Sequence, residues 1–381
     1  MTLIYLLAGE PSGDALGARL MAALREARPE LRFAGVGGPQ MAAQGLASLF
    51  GMQDLAVMGL MEVLPRLRLL RHRLHQTIAD IKERRPDVVV TIDTPAFALR
   101  LLKAIRPFGI PRAHYVAPQV WAWRESRVRR FPGLWERLLC LLPFEPDYFA
   151  AHGLPARFVG HPVLESGADR GNAARFRARY GLAQEIPVLV LMAGSRRNEV
   201  GRLLPIYART LALLSAKLPS LRSVMPVPPQ LASTVREATR NWPSAPLIFT
   251  ELEEKHDAYA AAAAALTKSG TSTLELALAG VPMAVTYRVN ALSGAIARRL
   301  ISVPHVAMVN LLAGREIVPE LLQQHCTPDR LAAALLELLT NPAAQAAQRD
   351  AFRAVVQSLR PDEGTPSEAA ARAVLELLQK P

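Results

Sequence analysis

A chain of 381 residues is longer than one hydrophobic core usually serves, so two domains are expected. Cys140 and Cys326 are its only cysteines, which excludes a disulfide framework or a zinc cluster and points to a reducing compartment. The net charge of +12 calls for anionic partners; without zinc-finger spacing or an RNP-type aromatic motif, acidic lipid headgroups and phosphorylated substrates fit better than nucleic acid.

The opening MTLIYLLAGEPSGD has no basic n-region and does not read as a signal peptide. It reads as a strand, Leu3 to Leu7, running into the turn Gly9-Glu10-Pro11-Ser12-Gly13-Asp14. Leu16, Leu20, Met21 and Leu24 then share one helical face. The glycine spacing is not G-x-G-x-x-G, so no dinucleotide cofactor is expected here. Phe33 to Val36 is a second strand. From Val57 the sequence VMGLMEVLPRLRLLRHRLHQ interleaves Met58, Met61 and several leucines with Arg66, Arg68, Arg71 and Arg73. This suits either a helix touching lipid headgroups or acyl chains, or a core-packed helix with a solvated basic face. His72 and His75 on it lack a third ligand and read as surface residues. No apolar run is long enough to cross a bilayer.

Val88 to Ile92 is a continuous apolar run ending in Asp93, the pattern of a buried parallel strand whose carboxyl end faces a ligand. Arg112 to Ala117, Leu138 to Leu142 and Arg157 to Gly160 repeat it. Between them, VAPQVWAWRESRVRR places Gln119, Trp121 and Trp123 beside Arg124 and Arg127, side chains that stack on sugars and fork onto phosphate. The polar stretch Glu165 to Glu185 reads as a linker. A second series of strands follows at Val188 to Met192, Ser223 to Val227 and Leu247 to Phe249, with a helix from Leu203 to Leu218. The first of these strands ends in Gly194-Ser195-Arg196. The Ala260 to Ala265 run reads as helix, since alanine is the best helix former. Doubly wound α/β units of this kind predict two parallel sheets facing across a cleft.

The stretch LTKSGTSTLELALAGVPMAVTYR, Leu266 to Arg288, is the most informative. Lys268-Ser269-Gly270-Thr271-Ser272 is a small hydroxylated turn opening a helix that Gly280 ends, and Pro282 leads into a strand. Free N–H groups and hydroxyls at such a helix start seat a phosphate, and Glu275 in its first turn could accept from ribose hydroxyls; the plainer reading is an ordinary capped helix. Arg196 and Arg288 would add cations. Asn310, in VNLLAGRE at what reads as a strand end, could contact a phosphate or sugar hydroxyl, or be an ordinary turn residue. Several chemistries are absent: G-x-S-x-G, H-E-x-x-H, and any Asp-x-Asp pair that would clamp a metal on a diphosphate. Glu10 and Asp93 both stand at strand ends, where a general base for a sugar hydroxyl belongs, and spacing does not choose between them.

The motifs AGEPSGD, GVGGPQM, LAVMGLMEVL, HYVAPQVWAWR, LPFE, FVGHP, AGSRRNEV, SGTSTLELALAGVPM and VNLLAGREIVPELLQ occur in order along nearly the whole chain. Together they resemble the lipid-A-disaccharide synthase family, inverting glycosyltransferases of the two-Rossmann-domain GT-B type. The resemblance implies an acceptor and catalytic domain over 1–165 with a C-terminal helix from 360–381 packed on it, and a UDP-sugar domain over 166–359. It implies transfer from UDP-2,3-diacylglucosamine to 2,3-diacylglucosamine 1-phosphate (lipid X), with no cofactor or metal, at the cytoplasmic face of the inner membrane. Asp93 matches the family's catalytic aspartate, and Glu10 its first-loop glutamate. Arg196 matches the diphosphate arginine, Asn310 the motif asparagine, and Ser269, Gly270, Thr271 and Glu275 the UDP turn. Ser12, Met58, Met61 and the tryptophan–arginine segment fall to the acceptor side. The chain departs from the family's Asp-Ala-Pro-Asp-Phe-Asn at Ala96 and Ala98, which bears on the acceptor, and carries Lys268 before the Ser-Gly-Thr turn. The other readings are a GT-B enzyme acting on another lipid-linked sugar, a nucleotide-sugar epimerase, or a membrane-surface binder of the same fold. The last helix could also be exchanged between copies in a homodimer.

Overall fold

The computed structural model describes residues 2–55, 60–123, 125–289 and 303–379, and for 60–65 the backbone alone. Met58, Arg124 and the Met61 side chain therefore lie outside the described residues. The chain divides into two compact units, Met1–Pro162 with Leu359–Pro381, and Val163–Ser358.

The first unit carries β1 (Leu3–Ala8), β2 (Arg32–Val36), β3 (Val88–Ile92), β4 (Arg112–Tyr115), β5 (Arg137–Cys140) and β6 (Ala156–Phe158), in the order β2-β1-β3-β4-β5-β6. Every described pairing in it is parallel. Parallel strands need helices on both faces, so their sequences are apolar throughout, and all of β3 is buried. The helix Pro11–Ala27 packs Leu16, Leu20 and Leu24 into the same core as Ala370, Ala373 and Val374 of the helix Pro366–Leu375. Alanines on that last helix let the two backbones approach closely. A capping box at Thr365 and Glu368 fixes where it starts.

The second unit holds β7 (Val188–Met192), β8 (Arg222–Pro226), β9 (Leu247–Phe249), β10 (Ala262–Lys268), β11 (Met283–Tyr287) and β12 (Glu320–Leu322) in the order β12-β11-β10-β7-β8-β9, again parallel. Each sheet therefore has a switch point where the chain reverses its direction of winding. It lies between β1 and β3 in the first unit and between β7 and β10 in the second. Crevices open beyond the carboxyl ends of such strand pairs.

Three sequence expectations are corrected. The alanine run is helical only to Ala261; from Ala262 it is β10, buried between β7 and β11. Tertiary pairing overrides alanine's helix preference there. The stretch Glu165 to Glu185 is not a plain linker, since it contains the helix Ala173–Tyr180. That helix is capped by Asn172, buries Phe176, and bonds Arg175 to Asp257. Val309-Asn310-Leu311 is not a strand end but part of the helix Met308–Ala313.

The basic helix Leu60–Arg84 divides its residues in the way the core-packed reading requires. Leu70, Leu74 and Ile78 pack against the cluster around Tyr5 and Phe97, while Leu67 is 43% exposed and Arg66, Arg68 and Arg71 face solvent. His72 and His75 are exposed.

Candidate functional site

At the switch point of the second unit, the carboxyl ends of β7, β8, β9 and β10 enclose a cavity of about 480 Å³. Met192, Gly194 and Ser195 line it from β7, Pro226 to Pro228 from β8, and Thr250 to Leu252 from β9. Lys268 through Ser272 close it from β10, and Lys255 reaches it from the helix Leu252–Ala261. One wall is apolar and the other is built of hydroxyls, glycine and cations. That division suits a ligand with a flat base at one end and a charged group at the other.

The polar wall is internally braced. Ser269 Oγ donates to the Val306 carbonyl at 2.7 Å, Thr267 and Ser272 share a hydroxyl–hydroxyl bond of 2.9 Å, and Thr273 Oγ1 donates to the Gly270 carbonyl at 2.9 Å. Gly194 has φ +112°, and a Cβ there would meet Glu199 Oε2 at 2.5 Å, so only glycine admits this turn. Lys268 Nζ donates to Glu199 Oε1 at 2.8 Å, and Arg196 stands 3.9 Å from the same oxygen. Beneath the cavity, Glu275 Oε2 accepts from Lys255 Nζ at 2.9 Å and from the Tyr259 hydroxyl at 3.3 Å. Burial next to this carboxylate holds the Tyr259 hydroxyl far above its ordinary pKa, so it stays a donor. Arg288 is exposed just past the end of β11.

In the first unit Ala8 of β1 is paired with Ile92 of β3, so Glu10 and Asp93 leave neighbouring strand ends at the switch point. Glu10 is the extended residue before the helix Pro11–Ala27, and Ser12 is exposed in that helix's first turn. Asp93 and Thr94 are both left-handed, with φ 52° and 48°. Two successive non-glycine residues in that region are strained, and such strain gathers at functional sites. Burial lifts the Asp93 carboxyl above the ordinary carboxylate range, against a bond from the Thr94 amide. Asp14 is buried and accepts from the amides of Gly38, Gln40 and Met41 at 2.8–3.0 Å, so it caps the second glycine turn rather than its own helix.

Beyond β4, Gln119 is exposed, Trp123 is 42% exposed with the Arg127 guanidinium 5.7 Å from its ring centroid, and Trp121 is half-buried. Trp121 packs edge-on against Phe144 and donates its indole N–H to Glu145 Oε1 at 3.1 Å. Glu145 is 2% exposed and also accepts from the amides of Leu141 and Leu142, and burial pushes its carboxyl up to about 7.

A profile of the family described as lipid-A-disaccharide synthetase matches residues 4–374. The chain belongs to this family. It is 61% identical to the lipid-A-disaccharide synthase of Granulibacter bethesdensis, covering 99% of this chain and 98% of that one. It is 60% identical to that of Gluconobacter oxydans, covering 100% and 91%. As a lipid-A-disaccharide synthase, it is a glycosyltransferase of lipid A biosynthesis. Solved structures agree on the fold alone. Acinetobacter baumannii MurG superposes with TM-score 0.60 at 15% identity over 99% of this chain and 100% of that one. The S. aureus MnaA–UDP structure gives 0.67 at 15% identity over 100% and 98%. The architecture is GT-B-like, with two parallel six-stranded α/β sheets.

Set against the synthase site expected from sequence, the structure gathers Gly194, Ser195, Lys268, Ser269, Gly270, Thr271 and Ser272 around one cavity. Arg196, Glu275, Arg288 and Asn310 are not among its lining residues. Asn310 is fully buried, with Nδ2 donating to Val318 O and Glu320 Oε1 and Oδ1 accepting from Ile317 and Val318. Its capacity is spent on chain neighbours, so it is a clamp on the segment before β12 rather than a ligand contact. Sequence reasoning missed Glu199, Lys255 and the apolar wall of Pro226 to Pro228. Their motif neighbours gave a signal only for Glu199, inside AGSRRNEV.

Proposed function

We propose that this synthase transfers 2,3-diacylglucosamine from UDP-2,3-diacylglucosamine to the 6-hydroxyl of lipid X, giving the β-1′,6-linked disaccharide 1-phosphate and UDP. The observation that carries the reading is the two-sided cavity at the switch point of the second unit. Its apolar wall at Pro226 to Pro228 takes the uracil. Glu275, oriented by Lys255 and Tyr259, accepts from the ribose hydroxyls. The turns at Gly194 to Arg196 and Ser269 to Ser272 take the diphosphate, with Arg196, Lys268 and Arg288 balancing its charge.

In the first unit, Asp93 removes the proton from the acceptor hydroxyl. The oxygen attacks the anomeric carbon as the bond to UDP breaks, inverting that centre, and the electron pair leaves on the diphosphate. A raised carboxyl pKa makes Asp93 a stronger base than an exposed aspartate. Glu10, at the neighbouring strand end, assists in placing the hydroxyl. Trp123 and Arg127 face the acceptor, and with the exposed Leu67 and arginines of the helix Leu60–Arg84 they seat the enzyme peripherally on the anionic cytoplasmic face of the inner membrane.

The test is disaccharide formation from radiolabelled donor and lipid X in EDTA, comparing wild type with Asp93→Ala. Product from the wild type that is lost in the variant supports both reaction and base. Activity surviving in the variant moves the base to Glu10 or elsewhere. No product from either protein, with UDP still bound, means a different acceptor.

A further inference from the structure

Glu199 is the third residue of the 21-residue helix that begins at Arg197. A carboxylate in a first helical turn is ordinarily a modest stabiliser through the helix dipole. Its surroundings here ask more of it. One oxygen, Oε1, takes both Lys268 Nζ at 2.8 Å and Arg196 Nη1 at 3.9 Å, cations that belong to the two turns at the cavity. The other, Oε2, is buried over Gly194 and accepts no hydrogen bond among the described residues. Leaving a carboxylate oxygen in that condition costs stability, so the helix start alone does not explain an acid at this position.

We infer that Glu199 is a resident counter-charge in the donor site, one that holds Lys268 and Arg196 in place between turnovers and competes with the diphosphate for them, so that UDP leaves after transfer. This rests on the donor-site reading given above. A bound diphosphate brings negative charge to the same two cations that Glu199 already attracts. The lysine ammonium has three N–H donors and is able to contact both carboxylate and phosphate, so it need not leave Glu199 for the ligand to bind. The carboxylate stays beside the phosphates as a like charge and weakens their hold. Without that acid the same cations would hold the diphosphate more tightly. Lys268 adds a cation beside the Ser-Gly-Thr turn, and Glu199 is what keeps it from trapping UDP.

Isothermal titration with UDP, UMP and uridine tests the inference on wild type, Glu199→Gln, Glu199→Asp and Lys268→Met. Glu199→Gln is expected to bind UDP about fivefold or more tightly, UMP less so, and uridine unchanged, because only the phosphates meet the removed charge. Glu199→Asp, which keeps the charge, is expected to return UDP affinity toward that of wild type. UDP bound equally or more weakly by Glu199→Gln would overturn the inference, as would parallel changes for UDP and uridine, which would mean an altered cavity shape. Lys268→Met separates the two levels. If it leaves UDP affinity unchanged, the donor-site reading itself fails, whereas weaker UDP binding there with no gain in Glu199→Gln sinks only the role of Glu199.

Discussion

The Trp121 indole donates to Glu145 Oε1 at 3.1 Å, and the receiving carboxyl is buried and half-neutral near physiological pH. A carboxyl whose pKa is higher folded than unfolded binds its proton more tightly in the native state. Its contribution therefore favours folding at low pH and is lost as pH rises from near 4.5 to about 7. A shift of this size is worth roughly 3 kcal/mol. Replacing Glu145 with Gln removes that dependence. In urea unfolding between about pH 4 and pH 8, the stability difference should move in the variant's favour by roughly 3 kcal/mol. Parallel wild-type and variant curves would show that the carboxyl titrates as an exposed one does.

Asp93 gives a prediction on rate rather than stability. Asp93→Asn keeps the shape of the side chain and removes the base, so kcat should fall about 10²- to 10⁴-fold with the donor KM little changed. Because burial raises its pKa, the acidic limb of the wild-type profile should lie above the ordinary carboxylate range. A limb at the usual value would assign the titrating group elsewhere.

Asn310 separates a structural clamp from a ligand contact. Asn310→Ala takes the Asn310 partner from the Val318 carbonyl and from the amides of Ile317 and Val318, while Glu320 keeps the amides of Val306 and Ala307. The expected cost is about 2–4 kcal/mol in denaturant unfolding, with UDP affinity preserved in the protein that remains folded. Loss of UDP binding at full stability would restore Asn310 to the donor site.

Trp123 and Arg127 make an exposed aromatic–cation pair in the first unit. Each arginine near an anionic surface is worth about 1 kcal/mol. Arg127→Ala should therefore weaken sedimentation with phosphatidylglycerol vesicles about fivefold at low salt. Trp123→Ala should weaken it at all salt concentrations, since its contribution is apolar. Unchanged binding by both variants would remove this segment from the membrane face.

Two buried histidines weaken the fold on the acid side. His114 and His161 are buried and pushed down to about 4, so the unfolded chain binds their protons first. Stability should fall as pH drops from about 6.5 toward 4, opposite in sign to the effect of Glu145. His161→Asn should shallow that fall in urea titrations; an unchanged slope would mean that His161 titrates alike in the folded and unfolded protein.

The strands buried on both faces, and the turns that follow them, are legible in the residue order alone. β1, β3 and β7 are continuous apolar runs because parallel strands meet helices on each side, and a run such as Val88 to Ile92 has few other uses. The turns after β7 and β10 were legible because glycine, serine and threonine at a strand-to-helix junction answer to local backbone demands. Whatever depends on which strand lies beside which is visible in the folded chain alone. The alanines of β10 form a strand because β7 and β11 pair with them from both sides, and no local preference encodes that. The winding order places the ends of β8 and β9 beside those two turns, so Pro226 to Pro228 join a cavity whose other wall lies some forty residues away, at about Lys268. Asn310 and Glu199 show the same limit from opposite directions. Their residue types suit ligand binding equally well, and only their surroundings, four bonds to chain neighbours in one case and two cations on one oxygen in the other, distinguish a clamp from a charge in the site.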